Sequence, residues 1–192
     1  MRSAAGQMWA RAGGFDHEDM SGTQTQIPAL PVLAPLAVIL FAAVGWRLRR
    51  TPGRLLLGGA AVAYALAVVA VTLLPLQIAT GDYANQIPWY EKGNWIPVIT
   101  IDVVTFVANI VMFVPLGVLL ALGDRTRTRT AGNVARIALA CSATVEIVQF
   151  LTNVLVSSGR QADVNDLIAN TLGGVIGFLA WRAVSVRVVS AT

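Results

Sequence analysis

The sequence predicts an all-α, polytopic integral membrane bundle of about five transmembrane helices, and three observations predict it. Charged residues make up 12% of the 192-residue chain and hydrophobic ones 56%, whereas soluble domains carry about 25% charged residues. Apolar segments long enough to cross a hydrocarbon core ~30 Å thick recur five times. Short arginine runs fall between alternate segments, as the bias of basic residues toward the cytoplasmic face requires. The net charge of +4 would suit nucleic acid. The arginines are nevertheless divided among interhelical runs, so no nucleic-acid partner is expected.

Residues 1–26 are polar and read as a tail rather than a cleaved signal. The first span covers 30–46, entered through Pro28 and Pro31, with Pro35 inside it predicting a kink. The second covers 55–74 and stops at Pro75, so residues 27–93 hold two spans and an aromatic connection. The third, 103–122, contains Pro115, which a membrane helix tolerates where neighbours take up the freed carbonyl. The fourth covers 137–156 and the fifth 163–181, completing a membrane unit over 94–182 before a short tail at 183–192.

Orientation follows from the basic runs. Arg47, Arg49, Arg50 and Arg54 lie between spans one and two, and Arg125, Arg127, Arg129 and Arg136 between three and four. Arg182 and Arg187 follow span five. The connection 75–102 sets Lys92 against Asp82, Glu91 and Asp102. This pattern predicts a multi-pass protein of the cell membrane with its N-terminus outside and its C-terminus cytoplasmic. Topology accounts for the arginines; phosphate binding is the other reading.

Polar residues interrupt the last three spans at helical spacing. Glu146, Gln149 and Asn153 share a face of span four by i, i+3, i+7. Asp163, Asp166 and Asn170 repeat that spacing on span five, and Asp102, Asn109 and Phe113 align on span three. A charged group at mid-bilayer costs at least ~2.5 kcal/mol, so these stripes are expected to face one another. At 1.5 Å per residue, Glu146 would lie ~15 Å below the outer end of its helix. Asp163 and Asp166 would sit at the outer rim, with Arg160 in the turn above, so that a cavity open to the outside ends at Glu146.

Other features have plainer readings. Gly173 and Gly177 form a small-xxx-small pair, and with Gly117 they predict a close helix seam. Cys141 is a small packing residue without a disulfide partner. Tyr83, Trp89, Tyr90 and Trp95 form an interfacial belt, or else a stacking platform for a sugar- or peptide-bearing lipid. His17, the only histidine, lies in the tail, so no Ser/His/Asp or Cys/His mechanism is expected.

The segments N-W-I-P from Asn94, N-I-V-M-F-V-P-L-G from Asn109, E-I-V-Q from Glu146 and G-R-Q-A-D-V-N-D-L-I-A-N-T-L-G-G-V-I-G from Gly159 resemble the VanZ-like family of bacterial membrane proteins. The resemblance covers residues 94–177. It maps the family pattern onto Asn109, Phe113, Pro115, Gly117, Glu146, Gln149, Arg160, Asp163, Asp166, Asn170, Gly173 and Gly177. It implies a setting in the bacterial cell envelope and an association with resistance to the glycopeptide antibiotic teicoplanin. It names a family and not a reaction.

Three functions fit these residues. In the first, the polar site binds or processes an outer-leaflet amphiphile, such as a lipid-linked cell-wall precursor or a glycopeptide-related ligand. Glu146 and Asp166 are then the candidate catalytic residues, with Glu146 a general acid or base. Asn109, Gln149, Arg160, Asp163 and Asn170 are candidate ligand-binding residues, Arg160 gripping a phosphate or carboxylate. Two aspartates alone are a poor metal signature, so neither metal nor cofactor is expected. In the second, Glu146 cycles its proton in a transporter, although no internal repeat supports this. In the third, Arg160 pairs with Asp163 or Asp166 and the polar groups only join helices. Membrane lipids are the expected partners, and an oligomer is compatible with all three.

Overall fold

The computed structural model describes residues 21–124 and 126–190. Five long helices dominate it: α1 (Ala29–Leu48), α2 (Pro52–Leu73), α3 (Val103–Gly123), α4 (Ala131–Val156) and α5 (Val164–Ser190). All five are long and apolar enough to cross a membrane, so the chain is a multi-pass helical membrane protein. Four short strands lie among them: β1 (Gln24–Ile27), β2 (Leu76–Ala79), β3 (Gly93–Asn94) and β4 (Ala162–Asp163).

Side-chain caps set three of the helix starts. Asp102 accepts from Thr105 N at 3.1 Å to open α3, and Thr130 accepts from Asn133 N at 3.2 Å to open α4. Asp163 accepts from Asn165 N at 2.7 Å to open α5. Each satisfies a backbone donor that the first turn leaves without a partner. The Thr130 cap explains why α4 begins at Ala131, six residues before the apolar run at 137. α1 continues through Pro35 and α3 through Pro115.

The predicted tail is shorter than expected. Residues 24–27 form β1, antiparallel to β2 in the register Gln24↔Ala79 to Ile27↔Leu76. Ser21 N donates to Asp82 at 2.7 Å, and the Thr23 and Thr80 hydroxyls lie 2.8 Å apart. The segment leading into α1 is therefore fastened to the segment leaving α2. Residues 1–20, His17 among them, lie outside the described residues.

α3 and α5 share the broadest interface, and glycine makes it close. A Cβ at Gly173 would meet the Ile110 carbonyl, one at Gly177 the Val114 carbonyl, and one at Gly117 the Gly174 carbonyl. The obstacles are backbone atoms on the facing helix, which cannot rotate aside. Phe113 and Phe178 are buried in the same region. α4 packs on α5, α2 flanks α3 and α4, and α1 packs on α2. No residue of α1 is buried; Leu30 and Trp46 are about three-quarters exposed, as suits a lipid-facing span.

The helices alternate between two ends. The basic end holds the α1–α2 and α3–α4 connections, where Arg182 meets Asp124 at 3.9 Å. The aromatic end holds β1, β2 and the connections into α3 and α5.

At the aromatic end α4 outlasts its neighbours. Gln149 Nε2 donates to the Thr72 carbonyl at 3.1 Å, in the last turn of α2, and Glu146 Oε2 accepts from Asp163 N at 2.8 Å, beside the start of α5. Residues 150–156 thus rise ~10 Å beyond the level where α2 ends and α5 starts. The chain then returns alongside α4 through residues 157–161 before α5 begins. Trp95 stands edge-on to Phe150 with ring centroids 5.6 Å apart, and Lys92 Nζ donates to the Asn153 carbonyl at 2.8 Å. The long connection wraps the projecting turns. The expected depths are corrected accordingly: Asp163 lies level with Glu146 rather than one helix-half above it.

Candidate functional site

The polar stripes of α3, α4 and α5 converge near the aromatic end. Glu146 is 7% exposed; its Oε2 takes the Asp163 N–H, and the Asp163 and Asp166 carboxylates lie within electrostatic range. Asn109 sits beside the Asp166 carboxyl. Asn170 is 1% exposed and donates through Nδ2 to Ser142 Oγ at 2.8 Å. Three of these side-chain atoms are buried without a hydrogen-bond partner among the described residues: Asn109 Nδ2, Asn170 Oδ1 and Gln149 Oε1. Native proteins rarely leave such atoms unpaired, since each costs ~1–3 kcal/mol.

Beside this buried layer lies a cavity of about 100 Å³, whose acidic lining is Asp102, Asp163 and Asp166, with Thr105, Phe106 and Asn165 completing most of its wall. The cavity does not end at Glu146, as the sequence suggested, because Asp163 and its backbone stand between them. Two of the three lining carboxylates are helix caps. Asp102 is bonded by the Thr105 hydroxyl and then by the Thr105 N–H, which together hold its carboxyl below the usual carboxylate range. Asp163 takes Asn165 N on Oδ1 and Asn94 Nδ2 on Oδ2, at 2.7 and 3.0 Å. The N-termini of α3 and α5 meet here, and their dipoles favour negative charge. Asp166, in the first turn of α5, shares that favourable field.

The remaining polar residues point elsewhere. Arg160 donates from Nη2 to the Leu74 carbonyl at 3.0 Å, and Gln149 to Thr72, so both cap the C-terminus of α2. A cation and an amide suit the carbonyls that a helix end leaves free. Arg160 forms no ion pair with Asp163 or Asp166; among the described residues the only such pair is Arg182–Asp124. Asn153 Oδ1 takes the Gly159 N–H at 3.3 Å, which holds the returning chain.

Several positioning residues escaped the sequence reading. Asn165, 3% exposed, receives Val98 N on Oδ1 at 2.8 Å and joins Thr100 through Nδ2 at 3.3 Å. Asn94 lies beside Asp163 in the parallel β3–β4 pair. Lys92, 3% exposed, donates to Asn85 Oδ1 and the Asn153 carbonyl, both at 2.8 Å. Ser142 was the most accessible of these to pattern: it lies four residues before Glu146 and extends the same stripe. Asp163→Ala is expected to remove about 1 kcal/mol of stability as a lost cap. It should also free the β3–β4 pair, which faster amide exchange at residues 93–94 and 165 would report.

A protein-family model, VanZ/LLP1, matches residues 61–185, about two thirds of the chain. The match starts inside α2, earlier than the motifs beginning at Asn94. Gln149 and Arg160 reach across to α2, so the second span belongs to the same structural unit. No curated protein and no solved structure matches the chain. The match to residues 61–185 spans α3, α4 and α5 up to residue 185 together with the polar residues they bring together, and the chain belongs to the VanZ/LLP1 family.

Proposed function

We propose that the cluster around Glu146 and Asp166 holds the polar head of an amphiphile from the adjoining leaflet. A lipid-linked cell-wall precursor or a glycopeptide-related ligand has the required chemistry, and binding it would contribute to glycopeptide (teicoplanin) resistance. The observation that carries this reading is unused hydrogen-bonding capacity: buried Asn170 Oδ1 lacks a partner, and Asn109 Nδ2 has none but the Asp166 carboxyl beside it, in the cluster that holds both carboxylates. Two carboxylates and two amides favour a head rich in hydroxyl or ammonium groups over a phosphate. Arg160, the only arginine between residues 137 and 181, is turned to α2. Glu146 and Asp166 would accept protons or hydrogen bonds from the head, and Asn109 and Asn170 would orient it. The positive-inside pattern supports an extracytoplasmic site in the bacterial cell membrane, with the N-terminus outside.

The caps Asp102 and Asp163 favour a second reading, in which Glu146 and Asp166, like these two carboxylates, serve the fold alone. Conservative substitutions separate the readings. Glu146→Gln keeps an acceptor for Asp163 N, and Asp166→Asn keeps the shape of the first turn. Both proteins are expected to fold like the parent. Each should lose an amphiphile that co-purifies with the parent from native membranes, as identified by lipid mass spectrometry. Unchanged lipid content and unchanged glycopeptide tolerance in both would end the binding proposal.

A further inference from the structure

We propose that the basic end of the bundle carries a second ligand site, for an anionic phospholipid, between α2 and α3. An apolar groove of about 620 Å³ runs along α2 from Arg54 to Val69, faced by Leu116, Leu119 and Leu120 of α3. On α2 the small side chains of Gly58, Ala61 and Ala65 leave it room between the larger Leu57, Tyr64 and Val68. From residue 54 to 69 the groove is ~22 Å long, more than the ~15 Å depth of one leaflet's hydrocarbon. One acyl chain fits along it.

What marks this groove among lipid-facing surfaces is its end. A second, polar pocket of about 550 Å³ adjoins it, lined by Gly123, Asp124, Thr126, Thr128 and Arg129, and the two share Arg54 and Leu57. Arg54 therefore stands at the junction of chain-binding and head-binding spaces. Arg129 donates from Nη1 to the Leu120 carbonyl at 3.1 Å, which fixes its guanidinium at the pocket wall. The one acid of the lining, Asp124, lies opposite Arg182 at 3.9 Å and takes the Arg129 and Thr128 N–H groups at 2.9 and 3.2 Å. The pocket is left with an excess of positive charge. Arginine beside threonine hydroxyls suits a phosphodiester, and basic pockets between membrane helices bind such heads.

The test uses the full chain purified in detergent and native mass spectrometry. Phosphatidylglycerol and phosphatidylcholine of the same acyl composition are titrated separately. One phosphatidylglycerol per chain should be retained at a concentration about tenfold lower than phosphatidylcholine, the loss expected for one charge-assisted contact. Arg54→Gln should erase that preference. Ala61→Phe, which fills the groove, should weaken retention of both lipids about tenfold, and Arg50→Gln, outside both pockets, should change nothing. Equal retention of the two lipids by the parent overturns the proposal, as does a preference that survives Arg54→Gln or a retention of both lipids that survives Ala61→Phe. Displacement of phosphatidylglycerol by millimolar glycerol phosphate would assign the pocket to a free phosphate and also overturn it. If Arg54→Gln fails to fold, the parent's lipid preference and Ala61→Phe decide.

Discussion

Gly173→Val is expected to destabilise the protein by at least ~3 kcal/mol, at the upper end of overpacking substitutions. The new Cβ would meet the Ile110 carbonyl, part of the α3 backbone, so relief requires the two helices to separate. Their interface is the broadest in the bundle, and separating it also pulls Asn109 from Asp166. Thermal unfolding in detergent should show a large drop in midpoint and loss of the co-purifying amphiphile. Gly59→Ala is the control. At Gly59 the nearest atom to an added Cβ is on Phe41, 3.9 Å away, and alanine gains ~1 kcal/mol of helix propensity over glycine. That protein should be as stable as the parent or more so. A Gly173→Val protein that melts with the parent would mean that α3 and α5 do not meet along this seam.

Lys92→Ala is expected to cost about 2–4 kcal/mol, from two hydrogen bonds made by a charged donor. Lys92 is 3% exposed, and its ammonium holds Asn85 and the last turn of α4 together. A cation near a helix C-terminus also gains from the dipole. Without it, residues 150–156 lose a contact that secures them where they project past α2 and α5. Amide exchange should accelerate over residues 153–157 and over the connection 81–102, while α3 and the basic end remain protected. Unchanged exchange at residue 157, whose N–H bonds the Asn153 carbonyl at 3.1 Å, would contradict this role.

The spans were legible because bilayer thickness imposes length and apolarity on a contiguous stretch, which a single sequence displays. The ends were less so. α4 starts at Ala131 because Thr130 caps a polar first turn, and α5 runs on to Ser190 past the expected 181. Spacing predicted that Glu146, Asp166, Asn109 and Asn170 share a region, since helical period fixes which face each occupies. It could not predict that Gln149 and Arg160 turn toward α2, because the carbonyls of Thr72 and Leu74 become acceptors only where that helix stops. Depth was misread for the same reason: it depends on where neighbouring helices end, not on the helix bearing Glu146. Lys92 was counted as a topology charge, and the strands β1 to β4 pair residues far apart in sequence, a relation that local pattern does not encode.

The glycine seam also constrains the order of biosynthesis. α3 emerges from the ribosome well before α5, with the whole of α4 between them, and domains are made from the N-terminus onward. Until Gly173 and Gly177 arrive, the face of α3 that bears Asn109 and Gly117 has no mate and must be screened by lipid or a chaperone. The pocket is thus assembled last, by closure of the final hairpin, and a chain stalled after α4 would reach the bilayer with its spans inserted but no site.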